Sequence, residues 1–286
     1  MKTIFICNAG THWTDEIIRK LKFQGVSDPS PQLTAPLWVD FYQQRQIALD
    51  KISQYPTDHR RVLLTHLPLH SIQYSTKAKY IFVSRDGRDV FLSLARHYAN
   101  ISPARYEYIN SNPNRIGDPF PTWDEQGYTI PSFFDDWINK GWNSEYRAEQ
   151  NDGYAMWSFF DVVKSYWDFN HLENVLFVNY IDLISDLDGS IRRMAKFLEI
   201  PIQEDNFADL VQSLTFEGMK AAKNLQQEIT SKDIFKEGVT ILNKGRTENW
   251  KTELTEAQLA RYDEVLQVKL SSECIRWLVG GVSSLG

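Results

Sequence analysis

Cysteine is scarce in this chain: Cys7 and Cys274 are the only two in 286 residues. That excludes a disulfide framework, and Cys7, inside a β-rich apolar run, reads as a small core residue. No apolar run approaches the roughly 20 residues that a membrane-spanning helix needs. The opening Ile4-Phe5-Ile6-Cys7 is too short for a signal peptide, so the cytoplasm is the expected compartment. Positive charge is the minority sign, with Lys+Arg 31 against Asp+Glu 37 and a net charge of −6. This argues against nucleic acid or another polyanion as the main partner. There is no low-complexity tract, no repeat of solenoid period, no spacing of a metal-ligand set and no G-x-x-x-x-G-K-[ST] loop. Apolar and aromatic side chains, by contrast, are plentiful: 42% hydrophobic and 13% aromatic suffice for a packed core. A single α/β domain over residues 1–286 is expected.

Periodicity supports that class. Residues 2–7 alternate and read as a strand. Trp13 to Phe23, with Trp13, Ile17, Ile18 and Leu21 on one face, reads as a helix, as does Trp38 to Ile52. Strands are predicted for Val62 to His66, Tyr80 to Ser84 and Asn174 to Tyr180. Helices are predicted for Val90 to Tyr98, Tyr154 to Phe169 and Leu183 to Leu198. Residues 100–152 read as irregular. Strands separated by helices imply βαβ units and a central, mostly parallel sheet flanked by helices. Ligands of such sheets bind at the carboxyl ends of the strands, where Asn8, His66, Arg85 and Tyr180 fall.

The most informative run is residues 80–93. A strand ends at Ser84 and a helix follows, so Ser84, Arg85, Arg88 and Ser93 lie about a helix N-terminus. Unpaired N–H groups, a positive dipole end and two guanidinium groups suit a doubly charged phosphate. A second candidate anion loop, Cys7-Asn8-Ala9-Gly10-Thr11-His12-Trp13, lies between the first strand and the first helix. Its small residues let backbone N–H groups approach an anion, though a plain turn with an N-cap threonine has the same pattern. Two such loops imply a ligand with phosphates at both ends. His66, in Thr65-His66-Leu67-Pro68, is placed to accept a proton or to serve as a structural histidine. Asn243-Lys244-Gly245, followed by Asn249-Trp250-Lys251, reads as a phosphate clamp or a solvated loop.

In this order and spacing the motifs resemble the cytosolic-type sulfotransferase family, over nearly the whole chain. Asn8 to Trp13 takes the place of its P-loop-like K-S-G-T-T-W phosphosulfate loop, and Thr65 to Pro68 that of T-H-L-P. Arg85 to Val90 with Ser93 matches R-N-P-K-D-V and its downstream serine. Phe177 to Asp182 resembles the F-Y-E-D strand end, Phe216 to Lys220 resembles F-x-x-M-K, and residues 243–251 resemble R-K-G-x-x-G-D-W-K. The resemblance implies a single-domain sulfotransferase fold and 3′-phosphoadenosine 5′-phosphosulfate as donor co-substrate, with no metal. It implies that Arg85 and Ser93, helped by Asn243, Lys244 and Gly245, hold the 3′-phosphate. Trp13 and Phe216 would sandwich adenine, with Tyr180 and Met219 beside the nucleotide. Ala9, Gly10, Thr11 and His12 would hold the 5′-phosphosulfate, and His66 would be the general base.

The chain departs from the family at charged positions. Asn8 replaces the loop lysine, Leu64 the lysine before the catalytic histidine, and Asn243 the clamp arginine. His12, where the family has threonine, is the residue that could compensate beside Asn8. The family's dimer motif is reduced to Lys251, Thr255, Glu256 and Ala260, so a monomer or weak dimer is expected. Residues 118–152 mix carboxylates (Asp118, Asp124, Glu125, Asp135, Asp136, Glu145, Glu149, Asp152) with Trp123, Tyr128, Phe133, Phe134, Trp137, Trp142 and Tyr146. That mixture suits a small polar or cationic acceptor, an amine or guanidinium natural product, by cation–π attraction and charge pairing. It also suits a solvated acidic loop with its aromatics in the core. Two other functions stay open: a non-catalytic nucleotide-binding member of the family, and a P-loop-related small-molecule kinase.

Overall fold

A computed structural model describes residues 3–8, 10–24, 37–38, 45–54, 60–111, 119–141, 151–154, 157–221, 234–237, 239 and 247–285. The chain divides into two compact units. The first comprises Met1–Arg85, Val162–Met219 and Arg276–Gly286; the second comprises Asp86–Asp161 and Lys220–Ile275.

The first unit is built on a five-stranded, all-parallel sheet. Its strands are β1 (Thr3–Asn8), β2 (Leu37–Trp38), β3 (Arg61–Thr65), β4 (Lys79–Ser84) and β5 (Val175–Asn179), in the order β2-β3-β1-β4-β5. From β1 the chain runs to the edge strand β2, returns inward to β3 beside β1, and then crosses to β4 and β5 on the other side. The strand order therefore reverses at β1, which is where sheets of this kind hold ligands. Cys7 is level with Thr65, Asn8 with Val83, and Ser84 with Asn179. The residues just beyond these positions thus share one edge.

Alternation along the strands sorts side chains between two faces. Ile81 and Val83 face an aliphatic layer with Ile17, Ile18 and Leu21 of α1 (Thr11–Phe23) and Ile191 and Met194 of α9 (Leu187–Leu198), all 0–1% exposed. On the other face Phe82 stacks on Tyr166 at 4.6 Å between ring centres and meets Phe177 at 5.3 Å. Asn179 donates from Nδ2 to the Trp277 carbonyl at 2.6 Å, and its Oδ1 accepts from the Ile181 amide at 2.9 Å. One buried amide thereby ends β5, starts α8 (Tyr180–Ser185) and anchors α13 (Ser272–Gly280).

The second unit is helical where described: α3 (Gly87–Ala99), α4 (Pro103–Asn110), α5 (Trp123–Gln126), α6 (Ile130–Asn139), α11 (Trp250–Glu253) and α12 (Glu256–Lys269). Phe91 is ringed by Phe133, Phe134 and Trp137 at 5.0–5.6 Å. The remaining helices are α2 (Arg45–Gln54), α7 (Phe159–Trp167) and α10 (Glu204–Leu214).

The parallel sheet and most elements agree with the sequence reading; four stretches correct it. Within residues 100–152 the described part holds three helices. α4, α5 and α6 begin at the N-caps Ser102, Thr122 and Thr129, and prolines stand in the first turns of α4 and α6. Proline there is a helix starter, since the missing N–H has no helical partner to lose. Trp38 is not helical: it pairs with Leu64 in the sheet, and the described helix is α2, Arg45–Gln54. The helix predicted from Leu183 to Leu198 is two, broken at Asp186, whose Oδ1 caps α9 by accepting from the Gly189 amide. The helix predicted from Tyr154 is α7, Phe159–Trp167.

Candidate active site

β1 enters α1 through Gly10, which takes φ 72 and ψ 13. A Cβ there would lie 3.1 Å from a Val83 methyl and 3.4 Å from the Tyr180 ring. Conformation and space both require glycine. Gly10 at the N-cap offers α1 no side-chain cap, and the first turn carries no acidic residue. The positive end of its dipole is thus left to whatever lies against the loop. Thr11 is buried, His12 exposed and Trp13 half-buried. Asn8 ends β1; Ala9 lies outside the described residues.

Trp13 is fixed from two sides. Its Nε1 donates to the Leu214 carbonyl at 2.8 Å, and its ring meets Tyr180 edge-on at 5.3 Å. Tyr180 also carries the Arg85 guanidinium 4.9 Å from its ring centre. Gly10 and Trp13 after β1, Arg85 after β4 and Tyr180 after β5 are thereby brought together. Phe216 follows two residues after the Leu214 carbonyl and is half-buried, while Met219 is buried. A ring, a cation and an uncapped helix start make a donor set that fits an adenine nucleotide bearing phosphates.

His66 lies one residue past β3, half-buried, on the same sheet edge. Its flanks are pinned: the Leu67 amide donates to Thr65 Oγ1 at 3.0 Å, and the Leu69 amide donates to Ser165 Oγ at 2.9 Å. Leu64, where the resembling family has a lysine, is 1% exposed and packs in the aliphatic layer with Ile81 and Val83. A lysine could not keep its charge solvated there.

The start of α3 corrects the sequence reading. Arg88 is not available to an external phosphate, because it forks onto Asp86, with Nε 2.9 Å from Oδ1 and Nη2 2.6 Å from Oδ2. It also lies 3.7 Å from the Trp250 ring centre. Burial pulls this guanidinium down, but the hydrogen bonds and charge of Asp86 outweigh it and hold it above its ordinary range. The same carboxylate caps α3 by accepting from the Arg88 amide at 2.9 Å, and Asp89 stands in the first turn. The helix terminus that sequence pattern gives to a ligand is filled by the chain's own carboxylate. A Cβ on Gly87 would come 2.5 Å from both the Phe159 ring and the Tyr262 hydroxyl, so the family's proline does not fit this turn. Ser93 is exposed on α3 in the second unit. Asn243, Lys244 and Gly245 lie outside the described residues.

Asp86→Ala removes a cap and strands Arg88. A loss of about 2 kcal/mol is expected, read by urea denaturation. A change below about 0.5 kcal/mol would mean that solvent replaces both roles.

Residues 119–141 and 151–154 are packed rather than open. Asp136 accepts from Tyr128 Oη at 2.6 Å and pairs with Lys140 at 2.6 Å. Asp124 pairs with Lys236, Asp152 with Lys269, and Asp135 accepts from Gln258. Trp123, Tyr128 and Phe133 all pack on Tyr98. Burial pushes Tyr98 and Tyr128 up, and Tyr106 up to about 12. Four of the carboxylates read as acceptor ligands therefore serve internal contacts. Asp118, Trp142, Glu145, Tyr146 and Glu149 lie outside the described residues.

The Leu214 carbonyl and the Asp86 cap escaped the sequence reading. A backbone acceptor leaves no residue-type signal, whereas Asp86 just before a helical pattern was a legible N-cap.

The sequence model of the sulfotransferase domain matches residues 7–273. Sulfotransferase 2A2 of Rattus norvegicus is 24% identical over 267 residues, 92% of this chain and 81% of its own length. A glycolipid sulfotransferase of Mycobacterium tuberculosis is 26% identical over 282 residues, 94% of this chain and 84% of its own. Among solved structures, mouse sulfotransferase SULT7A1 complexed with PAP superposes with TM-score 0.61 at 19% identity, covering 94% of this chain and 84% of that one. Retinol dehydratase in complex with androsterone and the inactive cofactor PAP gives TM-score 0.63 at 20% identity, over 95% and 81%.

Proposed function

The chain belongs to the sulfotransferase domain family, and from that premise we propose that it moves a sulfuryl group from 3′-phosphoadenosine 5′-phosphosulfate to a small acceptor. The observation that carries this reading is the cluster at the reversal of strand order: uncapped α1 behind Gly10, Trp13 held edge-on to Tyr180, and Arg85 on the same ring.

In this reading Trp13 and Phe216 take the adenine, with Tyr180 and Met219 beside it. Arg85, Ser93, Lys244 and Gly245 take the 3′-phosphate, with Asn243 in place of the clamp arginine. Ala9, Gly10, Thr11 and His12 take the 5′-phosphosulfate. The donor supplies the sulfuryl group and a bisphosphate leaving group. His66 withdraws the proton from the attacking acceptor atom, and the α1 N–H groups face the charge that develops opposite it. The acceptor atom is a hydroxyl oxygen or an amine or guanidine nitrogen of a small polar or cationic natural product. The acidic and aromatic composition of residues 118–152 supports that choice; the internal pairing of Asp124, Asp135, Asp136 and Asp152 leaves Asp118, Glu125, Glu145 and Glu149 to do the selecting. Residues 1–286 are proposed to act as one domain, since the family match runs through segments of both units. A cytoplasmic monomer or weak dimer, working without metal and apart from nucleic acid and membranes, completes the reading. Among the described residues no helix is long and apolar enough to cross a membrane.

The test is release of bisphosphate from the donor with a panel of neutral alcohols, amines and guanidines, in the presence of EDTA. Release that depends on the acceptor is expected. Donor binding without release by any acceptor would favour a non-catalytic nucleotide-binding member, which Leu64 and Asn8 keep in view. A preference for ATP with magnesium would make it a kinase.

Asn8→Lys and His12→Ala ask together what replaces the missing loop charge. If Asn8 lies against the bridging oxygen, Asn8→Lys raises turnover or donor affinity, because an oxyanion donor is worth roughly 3–4 kcal/mol. If His12 fills the role, His12→Ala costs heavily and Asn8→Lys brings nothing. No change in either variant would remove the loop from the phosphosulfate site.

A further inference from the structure

The α1–α10 cleft lies in the first unit, away from Gly10. Its α1 residues run from Arg19 to Gln24, about 12 Å or more along the helix from Thr11. The two helices run antiparallel and are braced at both ends. At one end the Gln24 amide spans to the segment before α10: its Nε2 donates to the Pro201 carbonyl, and its Oε1 accepts from the Gln203 amide at 2.8 Å. Gln24 holds φ 42, a left-handed conformation that costs a non-glycine residue about 1 kcal/mol or more and persists because those bonds over-determine it. At the other end Lys20 Nζ donates to Ser213 Oγ at 2.7 Å. Between the braces is a cavity of about 460 Å³, its apolar wall formed by Leu21, Phe23, Ile202 and Leu210.

Lys20 is the unusual group on this wall. It is half-buried, and its hydrogen-bond partner Ser213 is a neutral hydroxyl; among the described residues no carboxylate lies within ion-pairing distance of it. Arg19 stands next to it, paired with Glu16 at 2.6 Å. Burial holds the Lys20 ammonium below its ordinary range, with Glu16 only partly offsetting this. The cavity's carboxylate, Asp209, is exposed at the rim. A desolvated cation on a neutral partner, at the edge of an apolar cavity, is stabilised by an anion that brings its own apolar body.

We propose that this cleft binds a small amphipathic anion, a sulfonate, sulfate ester or carboxylate on an aromatic or aliphatic frame. The anionic group meets Lys20, since the Ser213 hydroxyl already donates to the Leu210 carbonyl at 2.7 Å, and the frame fills the space against Leu21, Phe23 and Leu210. The site uses none of the residues assigned to the nucleotide or to proton transfer, so it stands or falls independently of the proposed reaction.

The test is calorimetric titration of the full chain with naphthalene-2-sulfonate, and with naphthalene-2-carboxamide as its neutral counterpart. Saturable binding of the sulfonate is expected, at least about tenfold tighter than the carboxamide, as for one charge-assisted hydrogen bond. Lys20→Met, which removes the charge, and Leu210→Trp, which fills the cavity, are each expected to weaken it about tenfold or more. Thermal melts of both variants establish that they are folded. No binding by the wild-type protein overturns the proposal, as does equal affinity for the carboxamide. Wild-type affinity in both folded variants overturns it as well, and the carboxamide comparison stands even if a variant fails to fold.

Discussion

Replacing His66 by alanine is expected to lower turnover by about 10²–10⁴-fold, the range for removing a general base, while nucleotide affinity stays within about twofold. The separation follows from placement. His66 stands past the end of β3, while Trp13, Tyr180 and Arg85 are tied to one another at the ends of β1, β5 and β4. The flanks of His66 are held by Thr65 and Ser165 through backbone amides, so truncating the imidazole leaves the turn in place. Steady-state rates with calorimetry of the bisphosphate product read both quantities. A variant keeping more than about a tenth of the wild-type rate would contradict base catalysis by this residue. A collapse of nucleotide affinity would make His66 a binding group instead.

Arg85→Ala should cost roughly ten- to hundredfold in affinity for 3′-phosphoadenosine 5′-phosphate, as hydrogen bonds to charged groups are worth about 1.5–3 kcal/mol. It should cost AMP little. The specificity of the loss for the 3′-phosphate is the point, because Arg85 also packs on Tyr180, and a merely structural role would weaken both nucleotides alike. Arg88 is the natural control. Its guanidinium is engaged by Asp86 and Trp250, so Arg88→Ala should lower stability without discriminating between the two nucleotides. Equal loss of both in Arg85→Ala, or wild-type preference for AMP, would remove the 3′-phosphate assignment.

Much of this was legible in the sequence, for definite reasons. A parallel sheet buried on both faces leaves continuous apolar runs such as Tyr80 to Val83, and helices leave a 3.6-residue stripe such as Ile17, Ile18 and Leu21. Breaks between them locate the strand ends, and ligand residues cluster there. Failures came where one residue type serves opposite ends of an element. Pro103 and Pro131, in the stretch that reads as irregular, stand in the first turns of helices. Asp124, Asp135, Asp136 and Asp152 looked available to a ligand because composition does not show their internal partners.

The sequence by itself determined the class of fold, the family, and the places where chemistry can occur, because period, chain order and motif spacing are properties of one dimension. Only the tertiary structure decided how charge is used. It turned Arg88 inward onto Asp86 and left α1 uncapped while α3 was capped. It put Leu64 in the aliphatic layer and left Lys20 facing a hydroxyl. Whether an ionised group meets a partner or a ligand depends on which side chains lie within a few ångströms of it, and residues far apart in sequence supply those neighbours.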